Sequence, residues 1–164
     1  MQTSAMLIRC VAVSAVTIAL TASLHAQMPI PYGAPISLEH AKALAAVAVA
    51  EAQKNNWTMA VTIVDPNGDL VFFEKIDGTQ LGSIDVSIAK ARSAARFKRP
   101  TKTYEDGLAA GGVGLRVLKV PDAMPVEGGI PLVENGKIIG AIGVSGGQSS
   151  QDGVCATAAA ATVH

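Results

Sequence analysis

Two Asn-Gly dipeptides constrain this chain more than any other feature, because each separates two β-rich runs. Asn-Gly readily adopts the positive φ angles of a tight turn between antiparallel strands. The first dipeptide, Asn67-Gly68, stands between the β-rich residues 57–65 and 70–75. The second, Asn135-Gly136, is followed by the apolar run 138–145. The sequence therefore predicts two β-hairpins.

Helical patterns surround the two hairpins. Small apolar residues recur at helical spacing over 38–54, after Ser37, which is a good N-cap. A second helix is predicted from Ile84 to about Lys98, and an Ala-rich stretch after Gly146-Gly147 predicts a third. The resulting order is helix, hairpin, helix, hairpin, helix. This order predicts an α+β fold in a single domain, with an antiparallel β-sheet covered by α-helices.

Composition excludes several classes of protein. Hydrophobic residues make up 49% of the 164 residues and charged residues 16%, which excludes an intrinsically disordered chain. The formal net charge is zero, whereas general nucleic-acid binders carry an excess of Lys and Arg. Aromatic residues are only 4% of the chain, so a platform for stacking bases is not expected.

The first 26 residues have the pattern of a secretory signal peptide. Arg9 precedes an apolar run over 10–20, and small and polar residues follow it. The apolar run is too short to span a bilayer stably. We therefore expect residues 1–26 to be removed and the protein to be periplasmic or secreted. Residues 27–35 then form a Pro-rich extended lead-in, and residues 36–164 form the folded domain.

Removal of the leader leaves few residues for metal or nucleophilic chemistry. Cys155 is the one cysteine that remains, so an intramolecular disulfide is excluded. Its Ala-rich surroundings predict a buried, inert thiol. His40 and His164 are the remaining histidines, which excludes a zinc site built from several histidines of one chain.

Positive charge is concentrated in and after the second helix. Six basic residues stand within thirteen positions with no acid among them: Lys90, Arg92, Arg96, Lys98, Arg99 and Lys102. At 100° per residue Arg92 and Arg96 share a stripe, with Arg99 nearby if the helix continues. One interpretation is a binding site for carboxylates or phosphate, since guanidinium groups pair with both. Its candidate residues are Lys90, Arg92, Arg96 and Arg99. The alternative is a solvated helix face or an intersubunit surface.

Two further residue patterns allow a chemical and a structural interpretation. Ser87 and Lys90 have the Ser-x-x-Lys spacing of acyl-transferring serine enzymes, but such a pair also occurs on ordinary amphipathic helices. His40 lies about 200° around the first helix from Leu38, away from the Ala stripe, so it is predicted to be exposed or half-exposed. It is either a ligand for iron or a solvent-facing helix residue.

Several sequence blocks appear in a characteristic order. Residues 89–97 read AKARSAARF and precede Arg99-Pro100-Thr101, while GGIP at 128–131 precedes GAIGVSG at 140–146. Together with Val64-Asp65-Pro66-Asn67-Gly68, these blocks resemble the GlcG/HbpS-like haem-binding family from about residue 36 to residue 162. The resemblance implies a profilin-like fold, homo-oligomers, and binding of haem or a related tetrapyrrole in some members. The resemblance also implies Thr101 as a candidate contact for haem iron, as an alternative to His40.

These observations support one leading hypothesis and two alternatives. The leading hypothesis is an exported protein that binds haem or another planar anionic ligand. The basic residues would hold the carboxylates of the ligand, and His40 or Thr101 would contact its iron. The first alternative is a small enzyme acting on a carboxylate substrate. The second is a structural or sensor-accessory oligomer without a ligand.

Overall fold

A computed structural model describes residues 30–164. The predicted leader, residues 1–26, lies outside the described residues, as do the first three residues of the lead-in. In chain order the elements are α1 (Leu38–Lys54), β1 (Ala60–Val64), β2 (Leu70–Lys75), α2 (Ser83–Phe97), α3 (Lys102–Ala109), a 3-10 segment (Gly112–Lys119), β3 (Gly129–Glu134), β4 (Lys137–Ser145) and α4 (Ser149–Ala160). Within residues 30–164, no helix combines the length and the apolar character needed to cross a membrane.

The four strands form one antiparallel sheet in the order β2-β1-β4-β3. Both predicted hairpins are confirmed. In the second turn Asn135 and Gly136 have φ angles of 48° and 72°, as a two-residue hairpin loop requires. In the first turn only Gly68 has a positive φ, because the Asp65 carboxylate accepts the N–H groups of Asn67 and Asp69 and shapes a wider turn.

Helices cover both faces of the sheet. Side chains alternate between the faces of a strand, and in β1 Val61 and Ile63 pack against α1 and α4 while Thr62 and Val64 face α2. The main core therefore lies between the sheet and the pair α1 and α4, and α2 forms a separate layer on the opposite face. This architecture confirms the predicted α+β class and the single domain.

The side of α2 that faces the sheet differs in part from the one that helical spacing predicts. The spacing places Ile84, Ile88, Ala91 and Ala95 on one stripe facing the sheet. Ala91 and Ala95 are fully buried, but Ile84 and Ile88 are only half-buried. The fully buried positions of α2 are polar or small: Ser83, Ser87, Lys90, Ala91, Ser93, Ala94 and Ala95. A Cβ atom at Gly143 in β4 would collide with the backbone oxygen of Ser87, so the helix lies almost directly on the strand. Small residues occupy this side of α2 because the short distance between the helix and β4 leaves no room for an isoleucine side chain.

The end of the lead-in is attached to the sheet. Gly33 donates a hydrogen bond to the Ile138 carbonyl at 2.8 Å, and Ile138 donates to the Pro31 carbonyl at 2.9 Å. The Tyr32 hydroxyl reaches the carbonyl groups of Ala95 and Arg96, both at 3.1 Å. These contacts join the segment before α1 to the start of β4 and to the end of α2.

Candidate functional site

The two arginines of α2 bind the first hairpin turn. Arg92 donates from Nε to the Gly68 carbonyl at 3.2 Å, and Arg96 donates from Nε to the Asn67 carbonyl at 2.8 Å. Arg96 also forms an ion pair with Asp122 at 2.9 Å. The two arginines share a stripe as predicted, and part of their hydrogen-bonding capacity is used to hold the turn against α2.

Arg99 lies beyond the end of α2 and is exposed. Its Nε donates to the Phe97 carbonyl at 3.1 Å, and its guanidinium carbon is 5.7 Å from the centre of the Tyr104 ring. Its hydrogen bond and its aromatic contact are therefore with α2 and α3, whereas Arg92 and Arg96 bond to the hairpin turn.

Lys90 is not part of a surface anion site, which corrects the sequence-based grouping with the arginines. Its side chain is fully buried, and Nζ lies 2.6 Å from Oδ2 of Asp152 and 3.1 Å from the Val144 carbonyl oxygen. The Gly147 N–H donates to the other carboxylate oxygen of Asp152 at 3.1 Å. Burial raises the pKa of the Asp152 carboxyl, and the ammonium group of Lys90 acts in the opposite direction. The pair connects α2 with α4 at the end of the sheet.

The serine-lysine interpretation has no geometric support. Ser87 is fully buried, and its hydroxyl is 2.8 Å from the Thr62 hydroxyl and 2.9 Å from the Ile84 carbonyl oxygen. Lys90 bonds to Asp152 and Val144 instead of Ser87. A nucleophile needs a base within hydrogen-bonding reach and access to a substrate. The Ser87 hydroxyl has neither, so it is a packing contact between α2 and β1.

His40 is accessible and has a carboxylate beside it. Its side chain is 34% exposed, as the helical geometry predicted, and Nδ1 lies 3.9 Å from Oε1 of Glu134 at the end of β3. Metal-bound histidines commonly direct the second ring nitrogen to a carboxylate, which orients the ring. At His40 the distance of 3.9 Å is longer than a hydrogen bond, so Glu134 lies on the Nδ1 side of the ring without holding it, and Nε2 is the other ring nitrogen.

Thr101, the other candidate contact for haem iron, is not exposed as His40 is. It is fully buried at the start of α3, where its hydroxyl oxygen accepts a hydrogen bond from Gly129 N–H at 2.9 Å. Its own N–H donates to the Gly129 carbonyl at 2.9 Å. Thr101 thus fastens α3 to the first residue of β3. A ligand would have to separate these elements to reach its hydroxyl.

The candidate residues lie on two faces of the sheet. His40 is on α1, whereas Arg92 and Arg96 are on α2 in the opposite layer. The predicted site, in which these arginines hold the carboxylates of a ligand whose iron His40 contacts, is therefore not formed within one protomer. Among residues 30–164, no group of three or more His, Cys, Asp or Glu side chains is arranged to hold a metal ion.

A cavity of about 150 Å³ lies between α3, α4 and the start of β3. Sequence reasoning did not locate it. Its lining residues are Pro100, Lys102, Glu127, Gly128, Gly129, Ile130, Gly153 and Thr157. Two features of the sequence could have indicated this cavity: Gly128-Gly129 before a strand and Gly153 within a helix. Glycine at such positions indicates that the backbone lies close to another group, which can be either a ligand or another element of the fold. Pockets for drug-sized ligands are about 300–1,000 Å³, so this cavity is too small to enclose haem.

The fold defines a small α+β domain in which one antiparallel sheet is covered by helices on both faces. The family model described as haem degrading protein HbpS-like matches residues 36–161, and the chain belongs to this family. This confirms the resemblance found in the sequence.

Relatives and solved structures agree with this assignment. The chain is 38% identical over 110 residues to Protein GlcG of Escherichia coli strain K12, which covers 67% of this chain and 81% of that protein. The crystal structure of HbpS superposes with a TM-score of 0.73 and 28% identity, covering 80% of this chain and 92% of HbpS. The crystal structure of a PduOC:heme complex gives a TM-score of 0.71 and 27% identity, covering 79% of this chain and 96% of PduOC.

Proposed function

We propose that this protein is exported and binds haem or a related planar, carboxylated ligand on the surface that carries His40. The observation that carries the proposal is the accessible imidazole of His40, whose Nδ1 faces the Glu134 carboxylate at 3.9 Å. The proposal is supported by membership of the HbpS-like family and by the similarity to a protein solved with haem bound. Export is proposed from the leader pattern of residues 1–26.

The residues of this chain have separable tasks in such a site. Bound haem would supply an iron centre with its redox and ligand-exchange chemistry. His40 would offer Nε2 to the iron, and the Glu134 carboxylate would have to approach Nδ1 more closely than 3.9 Å to orient the ring. Thr101 is less suited to this task because its hydroxyl is buried and bonded to Gly129.

Self-association belongs to the same proposal. Arg92 and Arg96 lie on the face of the sheet opposite to His40, so they can approach a ligand held there only from a second copy of the chain. Homo-oligomers of this family member would bring the basic and imidazole surfaces of different protomers together. Guanidinium groups in such an interface suit the carboxylates of the ligand.

Haem titration followed by optical spectroscopy tests the role of His40. We expect the purified protein to shift the haem absorption band with a defined stoichiometry, and His40→Ala to change the spectrum because an iron ligand is lost. His164→Ala is the matched control, since it removes the other imidazole of residues 30–164, which has no carboxylate partner within salt-bridge distance there, and it should retain the wild-type spectrum. A wild-type spectrum in His40→Ala together with an altered one in Thr101→Val would transfer the iron contact to Thr101. Absence of any spectral change in the wild-type protein would overturn haem binding.

A further inference from the structure

We infer that the cavity between α3, α4 and the start of β3 is a second binding site, and that it takes a small organic ammonium ion. This site is separate from the His40 surface. Ile130 lines the cavity, whereas Glu134, the neighbour of His40, lies four positions further along β3, a distance of about 13 Å. The inference does not depend on haem binding.

Two glycines let the segments around the cavity pack closely against each other. A Cβ atom at Gly153 would collide with the Glu127 carboxylate, which lies against this turn of α4. A Cβ atom at Gly128 would lie 2.8 Å from Cβ of Asp152 and 3.1 Å from Nζ of Lys90. Glycine at these positions therefore lets the backbone of the 127–129 segment and of α4 form the walls, with the buried ion pair directly behind them.

The charges around the cavity favour a cation. Glu127 contributes a carboxylate to the lining, and the structure shows no hydrogen bond to its oxygens from residues 30–164. Lys102 also lines the cavity, and its single positive charge, 2.6 Å from Asp106, also interacts with the Glu105 and Glu127 carboxylates, so negative charge remains in excess. The Glu105 carboxylate is a second negative charge nearby, where it accepts the Glu127 N–H and the Ser149 hydroxyl.

Size limits the ligand to a small molecule. The cavity is open to solvent on one side, where the lining residues Pro100, Lys102 and Thr157 are exposed. A volume of about 150 Å³ matches a molecule the size of benzene, with about six non-hydrogen atoms. The side chains of Pro100 and Ile130 supply apolar surface, and Thr157 adds a hydroxyl. A short alkyl chain bearing one ammonium group matches this volume, this apolar wall and the Glu127 carboxylate.

Calorimetric titration of the full protein with three probes of matched size tests the inference. Propylammonium is expected to bind, whereas propanol and propionate should bind at least tenfold more weakly because they carry no positive charge for Glu127. Glu127→Gln should weaken propylammonium binding at least tenfold, since it removes the charge without adding bulk. Glu134→Gln is the control at the other end of β3 and should leave this affinity unchanged.

Binding of propylammonium and binding of haem are measured independently of each other. His40→Ala should bind propylammonium like the wild-type protein, whatever its haem spectrum. Gly153→Ala should also lose the amine, because the new methyl group displaces the Glu127 carboxylate. Equal binding of propylammonium and propionate, unchanged affinity in Glu127→Gln, or no measurable binding of the amine would each overturn the inference.

Discussion

At the residue scale, burial determines which charged and reactive side chains are accessible. Lys90 and Cys155 are fully buried, whereas His40 keeps about a third of its surface exposed. Lysine, cysteine and histidine occur on many helices. Here the burial and the partners of each side chain decide whether it is accessible. Lys90 is held by Asp152, and the Cys155 thiol lies in the Ala-rich core between α1 and α4.

Removing one partner of the Lys90–Asp152 pair should be far more damaging than removing both. Lys90→Met leaves the Asp152 carboxylate buried without its counter-ion, which typically costs about 3–5 kcal/mol. Lys90→Met/Asp152→Leu removes both charges and should recover a large part of that loss. Urea unfolding measures the free energy of unfolding for each variant. A loss in the double variant equal to the sum of the losses in Lys90→Met and Asp152→Leu alone would show that the charges are not coupled.

Cys155 should react slowly with alkylating reagents in the native protein. Burial raises the pKa of its thiol to about 11, so at pH 8 it has about a hundredfold less thiolate than a thiol with the usual pKa of 9.0. We expect iodoacetamide to label it only after denaturation, as measured by mass spectrometry on a Cys10→Ser chain. Rapid labelling of the native protein would contradict the buried position.

The same pKa shift predicts a loss of stability at high pH. The folded pKa lies above the unfolded value, so the contribution of the thiol to stability is complete below about pH 9 and is lost as the pH rises toward 11. The free energy of unfolding of wild-type protein should therefore fall more steeply over this range than that of Cys155→Ala. Parallel pH profiles would argue that the thiol does not contribute.

At the scale of elements, backbone approach decides how α2 lies on the sheet. Gly143 in β4 allows the backbone of α2 to touch the strand, and Arg92 and Arg96 then reach the hairpin turn that follows β1. The helix was predictable from its periodicity, but its rotation was not. The buried hydroxyl of Ser87 is tolerated because Thr62 in β1 lies opposite it at 2.8 Å.

Gly143→Ala should weaken the contact between α2 and the sheet. The new methyl group would collide with the Ser87 backbone oxygen and approach the Ala91 nitrogen, and backbone cannot move aside as a flexible side chain can. Overpacking of this kind costs about 1–3 kcal/mol. Gly82→Ala is the control, because a Cβ atom there meets nothing within 4 Å. Thermal unfolding of both variants compares them, and equal melting temperatures would contradict the close approach.

At the scale of the whole molecule, large apolar side chains remain uncovered. In the 3-10 segment Val113 is 75% and Leu118 is 60% exposed. Exposed apolar patches of this kind commonly mark surfaces of association. We therefore expect light scattering at micromolar concentration to give a mass greater than that of one chain. A monomer under these conditions would contradict self-association and, with it, the proposed approach of a second copy's arginines.

Removal of the leader is a further prediction about the whole molecule. If residues 1–26 are a signal peptide, the exported protein should begin at Gln27, as N-terminal sequencing can show. Retention of Met1 in the exported protein, or retention of the full chain in the cytoplasm, would overturn the export proposal.

The sequence alone determined both hairpins, the three helices around them and their order, but not α3 or the 3-10 segment. Asn-Gly turns, helical periodicity and the cap at Ser37 act over a few residues, so both hairpins and the helix over 38–54 were predictable. The exposure of His40 followed from the same local geometry, and the order of sequence blocks was sufficient to identify the family.

Tertiary structure decided which of the candidate residues meet. Lys90 and Asp152 are 62 positions apart, and they form a pair because Gly128 leaves space at the end of the sheet. In the assembled layers α1 and α2 pack on opposite faces of the β2-β1-β4-β3 sheet, which separates His40 from the arginines. The cavity beside Glu127 likewise requires three distant segments to meet. Local patterns carry no information about such contacts, because long-range packing and side-chain burial arise only when the layers assemble.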